Sequence, residues 1–285
     1  MNIEEKLRNM KPKDTPLLWL GYTILGMMLL LGQPANAQSA TDNVVNISNP
    51  SSSDYLDLNI QQAGYSQKVN FSIGGANNTV NILQDGNNMY IGYTDVWGSG
   101  YTWGGDLAGT GNELTVKQKC SESACNDNDF QFHITGNYNQ VIFGQGYELN
   151  DSLSPTWSYD GSEPGGNFVQ LDIHGNYNDF VGSQKQDTSA ITHSMTVNLY
   201  GDYNEVFAKQ QQNGNKTLNL TVNNNYNDLW IHQKNTGAHS ATINLSGSYG
   251  TSLNLLQQGS TNQTYTLTQD CQTAGGCSVS VTQGQ

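Results

Sequence analysis

From Leu58 onward the chain alternates apolar and polar side chains in short blocks, and the blocks recur in a fixed relation to a small turn. Counted from the last residue of each turn, positions two, four and six read Val80, Ile82, Gln84, then Leu114, Val116, Gln118, then Val141, Phe143, Gln145. The series continues with Phe180, Gly182, Gln184, with Val206, Ala208, Gln210, and with Leu229, Ile231, Gln233. Leu58, Ile60 and Gln62 fit upstream, and Leu253, Leu255 and Gln257 fit after one inserted residue. Alternation at period two marks a strand with one buried face, and that face closes on glutamine every time. A second apolar series precedes the turns, among it Val169, Leu171, Ile173 and Met195, Val197, Leu199, with Phe130 and Phe132 reading as displaced but ending on Ile134. Each block is therefore strand, turn, strand, and an arc to the next block.

The turn returns almost unchanged: Gly136, Asn137, Tyr138, Asn139 recurs as Gly175, Asn176, Tyr177, Asn178 and, altered, as Gly201, Asp202, Tyr203, Asn204. Gly and Asn tolerate positive φ, which makes this a tight turn at one repeated structural position. The shortest spacing between equivalent turns is 23 residues, enough for two strands and two bends. One such unit cannot bury its own apolar face, whereas units stacked about 4.8 Å apart enclose a thin core between two parallel sheets. The sequence thus predicts an all-β, parallel two-sheet β-solenoid of roughly eight rungs. Gln62, Gln84, Gln118, Gln145, Gln184, Gln210, Gln233 and Gln257 are expected to form an inward ladder, each amide donating to and accepting from its neighbours. The competing reading places them in water at the strand ends, where lysine or serine would serve equally well, yet neither replaces them. Tyr138, Tyr177, Tyr203, Tyr226 and Tyr249 are expected to stack on one corner.

The first 37 residues follow a different pattern. A basic stretch with Lys6, Arg8, Lys11 and Lys13 leads into an apolar run from Leu17 to Leu31 and then Ala35, Asn36, Ala37. This predicts a secretory signal peptide over 1–37 and a single repeat domain over 38–285. That domain has seven lysines, no arginine and 21 carboxylates, a net charge of −14. Such a balance disfavours nucleic acid and anionic membranes as partners. An exported chain meets an oxidising compartment, so Cys120 with Cys125 and Cys271 with Cys277 are expected to form two local disulfides. Zinc is the rival for the first pair, with only His133 nearby.

Gln61, Gln62, Ala63, Gly64, then Gln84, Asp85, Gly86, Asn87, Asn88, and later Gln257, Gln258, Gly259, Ser260, Thr261, Asn262, Gln263 carry a further likeness. A glutamine-x-glycine step followed by Asn or Gln, within two alternating strands, resembles the curlin repeat of bacterial amyloid fibres. The resemblance covers most of the domain at the level of pattern and implies export to the cell surface, a parallel two-sheet solenoid and templated end-to-end assembly with itself or other curlin-like subunits. Two features depart from that pattern. The repeats are less uniform, and four arcs are expanded, at 85–102, 119–129, 146–168 and 185–194, all following the glutamine and so expected along one edge. These departures fit a minor, capping or nucleating relative, or a solenoid with a different job.

Candidate chemistry is sparse. Tyr90, Tyr93, Trp97, Tyr101, Trp103, Tyr147, Trp157 and Tyr159 alternate with Gly, Asp and Ser in the first and third expanded arcs. Such rings suit a glycan platform, and equally a cover for the solenoid's edge. Asn126, Asp127, Asn128 and Asp129 resemble a calcium-seeking cluster but lack the glycine and final glutamate of an EF-hand loop, and read as a solvated turn. The five histidines show no ligand spacing, so no metal and no cofactor is expected. A polysaccharide lyase would want an arginine, and this domain has none; a hydrolase would need only two carboxylates, and no pair stands out. The expectation is a secreted structural or adhesive protein, not an enzyme, with glycan binding as the first alternative and a polysaccharide lyase or hydrolase as the second. The last strand, from Val279 to Gln283, is a candidate docking edge.

Overall fold

A computed structural model describes residues 44–48, 56–64, 66–86, 88–92, 105–119, 128–146, 148–149, 157–158, 166–187 and 191–284. The predicted signal peptide, Cys120, Cys125, Tyr93, Trp97, Tyr101, Trp103, Tyr147 and Tyr159 lie outside the described residues. All the described elements are strands, and all but one short antiparallel pair stack into a β-solenoid with two parallel sheets.

One sheet runs Val44–Ser48, Lys68–Ala76, Met89–Ile91 with Gly105–Thr110, Asn128–Thr135, Phe168–His174, Ser194–Tyr200, the pair Thr217–Leu218 and Thr221–Val222, His239–Gly247 and Gln263–Cys271. The other has nine strands, Asp57–Leu58, Thr79–Val80, Glu113–Gln118, Gln140–Gln145, Asp179–Lys185, Glu205–Gln211, Asp228–Gln233, Thr251–Gln257 and Cys277–Gln283. Successive coils pair in register, so that Val141, Phe180, Val206 and Leu229 share one column. Phe130 is not displaced: it pairs with Val169 in the same register as its neighbours.

The inward positions form one continuous buried core from Val69 to Leu255. Its volume is balanced between coils. A Cβ on Gly182 would sit 2.7 Å from the ring of Phe143, so the aromatic side chain of one coil occupies the space that glycine leaves in the next. At the turn, Gly136 has φ 124°, and a Cβ there would lie 1.8 Å from the carbonyl oxygen of Gly175. No other residue permits that approach between stacked turns.

The turn differs from expectation in where the positive φ falls. Tyr138, Tyr177, Tyr203 and Tyr226 hold φ between 56° and 61°, at the position occupied by Asn77 and Gly111 in earlier coils. Left-handed backbone costs a tyrosine about 1–2 kcal/mol. The rings stack at 5.0 to 5.2 Å down the corner, and aromatic pairs return about 0.5–1.5 kcal/mol each, enough to offset most of that cost. Tyr249, in a turn one residue longer, is not among these stacked rings.

Two expanded arcs also differ from expectation. Met89–Ile91 already belongs to the sheet, with Ile91 opposite Val69 and Gly105 opposite Phe71. The first excursion therefore leaves from within a strand, between Gly92 and Gly105, instead of following Gln84. In the third, Glu148–Leu149 pairs antiparallel with Trp157–Ser158 and lies against the strand Asp179–Lys185. That arc therefore carries a short antiparallel pair of its own. Val181 and Phe207 point outward from the second sheet and are nevertheless buried, beside Ile142 and Trp230.

Candidate functional site

Three columns of polar side chains follow from stacking equivalent residues. The first is the glutamine column. Gln118, Gln145, Gln184, Gln210, Gln233, Gln257 and Gln283 are register partners, and all but Gln283 are fully buried. From Gln184 to Gln257 each amide nitrogen donates twice. One bond, 2.8 to 2.9 Å, reaches the Oε1 of the next glutamine. The other, 3.0 to 3.2 Å, crosses to a backbone carbonyl at the start of the first strand of the same coil, as Gln210 does to Ser194. The amide thus ties coil to coil and also closes its own coil. Gln145 differs in reaching Gln184 Oε1, the Asn167 carbonyl of the next coil at 3.1 Å and, at 3.4 Å, the Asp129 carbonyl of its own. Gln118 donates in the opposite sense, to Gln84, and Gln84 to Gln62. The two senses meet at Gln118 and Gln145, whose Oε1 atoms have no partner among the described residues.

The second column is the asparagine that ends each turn. The backbone N–H of Asn139 donates to Asn112 Oδ1, that of Asn178 to Asn139, and that of Asn204 to Asn178, at 2.9 to 3.0 Å. The amide nitrogens of Asn139 and Asn178 also donate to the turn glycine carbonyl of the next coil, Gly175 and Gly201. These side chains are buried, and they bond stacked turns together without adopting positive φ themselves.

The third column sits where each first strand begins and contains Asn128, Asn167, His193, Lys216 and His239, all buried. The backbone N–H of Asn167 donates to Asn128 Oδ1, that of His193 to Asn167 Oδ1, and that of Lys216 to His193 Nδ1. Asn128 is thus a ladder member, and the expected solvated turn at 126–129 holds for neither it nor Asp129, both of which lie in a strand. Asn126 and Asp127 lie outside the described residues. Nδ1 of His193 accepts while Nε2 faces the Lys185 carbonyl at 3.3 Å, a pattern that suits only the neutral ring. Burial, with the Lys216 charge adding to it, pushes His193 down to about 4. The folded state therefore binds fewer protons than the unfolded chain between pH 6.5 and 4, and stability falls as pH drops through that window. The expected loss is about 3 kcal/mol. Urea midpoints across this range should show the slope in the native protein and a flatter profile in His193→Asn, which matches Asn167 one coil earlier.

The last described coil differs from the interior ones. Among the described residues, Gln263–Cys271 and Cys277–Gln283 pair on one side only. Their inward Tyr265, Leu267, Val279 and Val281 are partly exposed, whereas Ala241, Ile243, Leu253 and Leu255 beneath them are buried. Gln283 accepts from Gln257 and donates to Thr264. Cys271 and Cys277 form a disulfide that joins the two strands at their turn. At the other end the inward-facing Val45 is 44% exposed.

On the outer face of the first sheet, parallel stacking corrects the reading that the histidines do not cluster. His133 and His174 are 41 residues apart in the chain, yet their rings are 4.8 Å apart. Asp172 Oδ1 lies 3.1 Å from His133 Nδ1 and 2.8 Å from His174 Nε2. The Tyr200 hydroxyl donates to Asp172 Oδ2 at 2.8 Å, and Asp106 Oδ2 lies 3.6 Å from His133 Nε2. Asp106 in turn accepts from the Ser72 hydroxyl at 2.6 Å. The residues come from five successive coils and converge because Ser72, Asp106, His133, Asp172 and Asn198 occupy the same outward register position.

Of the aromatic residues expected to form a glycan platform, Trp157 is described only as a backbone partner of Leu149. No family model matches the chain, and neither does any curated protein or solved structure.

Proposed function

We propose that the protein is a secreted structural or adhesive surface protein that assembles by stacking of solenoid ends, in the manner of the curlin fibres its repeat resembles. One observation carries the reading: the coils from Gln184 to Gln233 have their backbone and their glutamine completed by equivalent coils on both sides, and the last described coil has that partner on one side only. A second copy of the chain offers the same parallel register, aliphatic positions and amides. Adding it buries Tyr265, Leu267, Val279 and Val281 and pairs the free edge, which is the way exposed strand edges recruit one another. Nothing in this role requires catalysis.

The test is growth of the purified protein followed by thioflavin fluorescence and fibre diffraction. The expected result is seeded elongation with a reflection at about 4.7 Å. Val279→Asp places a charge on the docking face and should slow elongation at least about tenfold, equivalent to ~1.4 kcal/mol per added unit. Ser280→Asp, on the exposed outer face of the same strand, should leave it unchanged. A protein that stays monomeric at high concentration, or elongation indifferent to Val279→Asp, would overturn the proposal.

A further inference from the structure

We infer that His133, Asp172 and His174 form a divalent transition-metal site on the outer face of the first sheet, joining two adjacent coils and independent of end-to-end assembly. The donor atoms His133 Nδ1, Asp172 Oδ1 and His174 Nε2 all lie within 4.8 Å of one another. Around a tetrahedral ion with bonds of about 2.0–2.1 Å, ligand atoms are separated by roughly 3.3–3.4 Å. The two histidine–aspartate distances, 3.1 and 2.8 Å, open by up to about half an ångström to admit it, and the two histidine donors, within 4.8 Å of each other, close by up to about 1.4 Å through rotation of the partly exposed rings. Two imidazoles and a carboxylate favour zinc, copper or nickel over magnesium or calcium, which prefer all-oxygen sets.

The atoms behind these three ligands form the stronger argument. His174 turns its far nitrogen, Nδ1, to the Thr135 hydroxyl at 2.7 Å. His133 turns its far nitrogen, Nε2, to Asp106. Asp172 has its far oxygen held by Tyr200. Such outer partners are what fix the tautomer and orientation of metal-binding histidines. They leave three near atoms converging on one point at a surface where His133 and His174 are each about a third exposed and Asp172 is nearly buried. A fourth position is thus open to water or a further ligand.

Proton accounting points the same way. A neutral His133 carries one N–H, yet both its nitrogens face carboxylate oxygens, those of Asp106 and Asp172. Either tautomer sets a lone pair against an anion. A metal at Nδ1 takes up that lone pair and leaves Nε2 facing Asp106. The metal also suits His174, whose Nε2 binds while Nδ1–H donates to Thr135.

The test uses the purified protein and zinc alone, with cobalt as a spectroscopic probe. One zinc per chain should remain after desalting, and cobalt should give the intense visible bands of a tetrahedral site. His133→Gln and His174→Gln should each weaken zinc binding at least about a hundredfold, and Thr135→Ala, which removes only an outer partner, about tenfold. Circular dichroism should show all three variants folded, since these side chains lie outside the core. Zinc binding unchanged by His133→Gln or His174→Gln would overturn the proposal. So would a folded native protein that retains no zinc after desalting.

Discussion

Gln210→Leu is expected to destabilise the solenoid by ~4 kcal/mol although leucine is apolar, of similar size and placed in a fully buried position. The substitution gains a transfer term of about 2 kcal/mol. Against this it strands three buried groups. The Gln184 amide loses its acceptor, Gln233 Oε1 loses its donor, and the Ser194 carbonyl loses the bond that closed the coil. Each orphan costs about 1–3 kcal/mol, so the polar loss outweighs the apolar gain. Gln283→Leu is the matched comparison. There the side chain is partly exposed and water can replace its bonds, so the expected change is within about 1 kcal/mol. Urea unfolding of the two variants measures the difference directly. Equal effects would mean that the column contributes nothing beyond burial.

The same column shows what a sequence of this kind makes legible. Strands with period two and a fixed repeat leave little freedom: once the turns are aligned, residues such as Gln145, Gln184 and Gln210 must stack, and they do so in strict register. The buried lysine was harder to see, because lysine is ordinarily a surface residue. Yet Lys216 stands eleven positions before Asn227, as His193 does before Asn204 and Asn167 before Asn178, one inward step beyond the second apolar series. Extending the period by a single step marks that column as inward. The histidine and aspartate cluster escaped notice for a different reason. Ligand spacing is usually sought along one helix or loop, whereas here it runs across the stack, from Asp106 to His133 to Asp172. The path of the expanded arcs had no periodic signal at all, and nothing in the alternation distinguishes an excursion after Gln84 from one that interrupts the strand at Gly92.

Lys216→Met should cost a comparable ~4 kcal/mol at neutral pH, and the reason lies in what surrounds the ammonium. Its Nζ donates to the carbonyls of Asn213, Gly214, Asn235 and Gly237 at 2.6 to 2.8 Å, two from its own arc and two from the next. The side chain is 0% exposed, and burial pushes the group down to about 8, against the opposing pull of Asp187. Methionine fills similar volume and removes the cost of burying a charge, which favours the variant. It also leaves four carbonyls without their donor. At about 1–3 kcal/mol each, those orphans exceed the relief. The pH profile separates the two contributions. The folded protein binds fewer protons than the unfolded chain between pH 8 and 10.5, so native stability should rise with pH across that window. In Lys216→Met the rise should vanish while the loss at neutral pH remains. Urea midpoints at pH 7 and through the alkaline window read both. A variant as stable as the native protein at pH 7 would show that the four carbonyls find other donors, and that the ammonium is a passenger in the arc instead of the group that holds it.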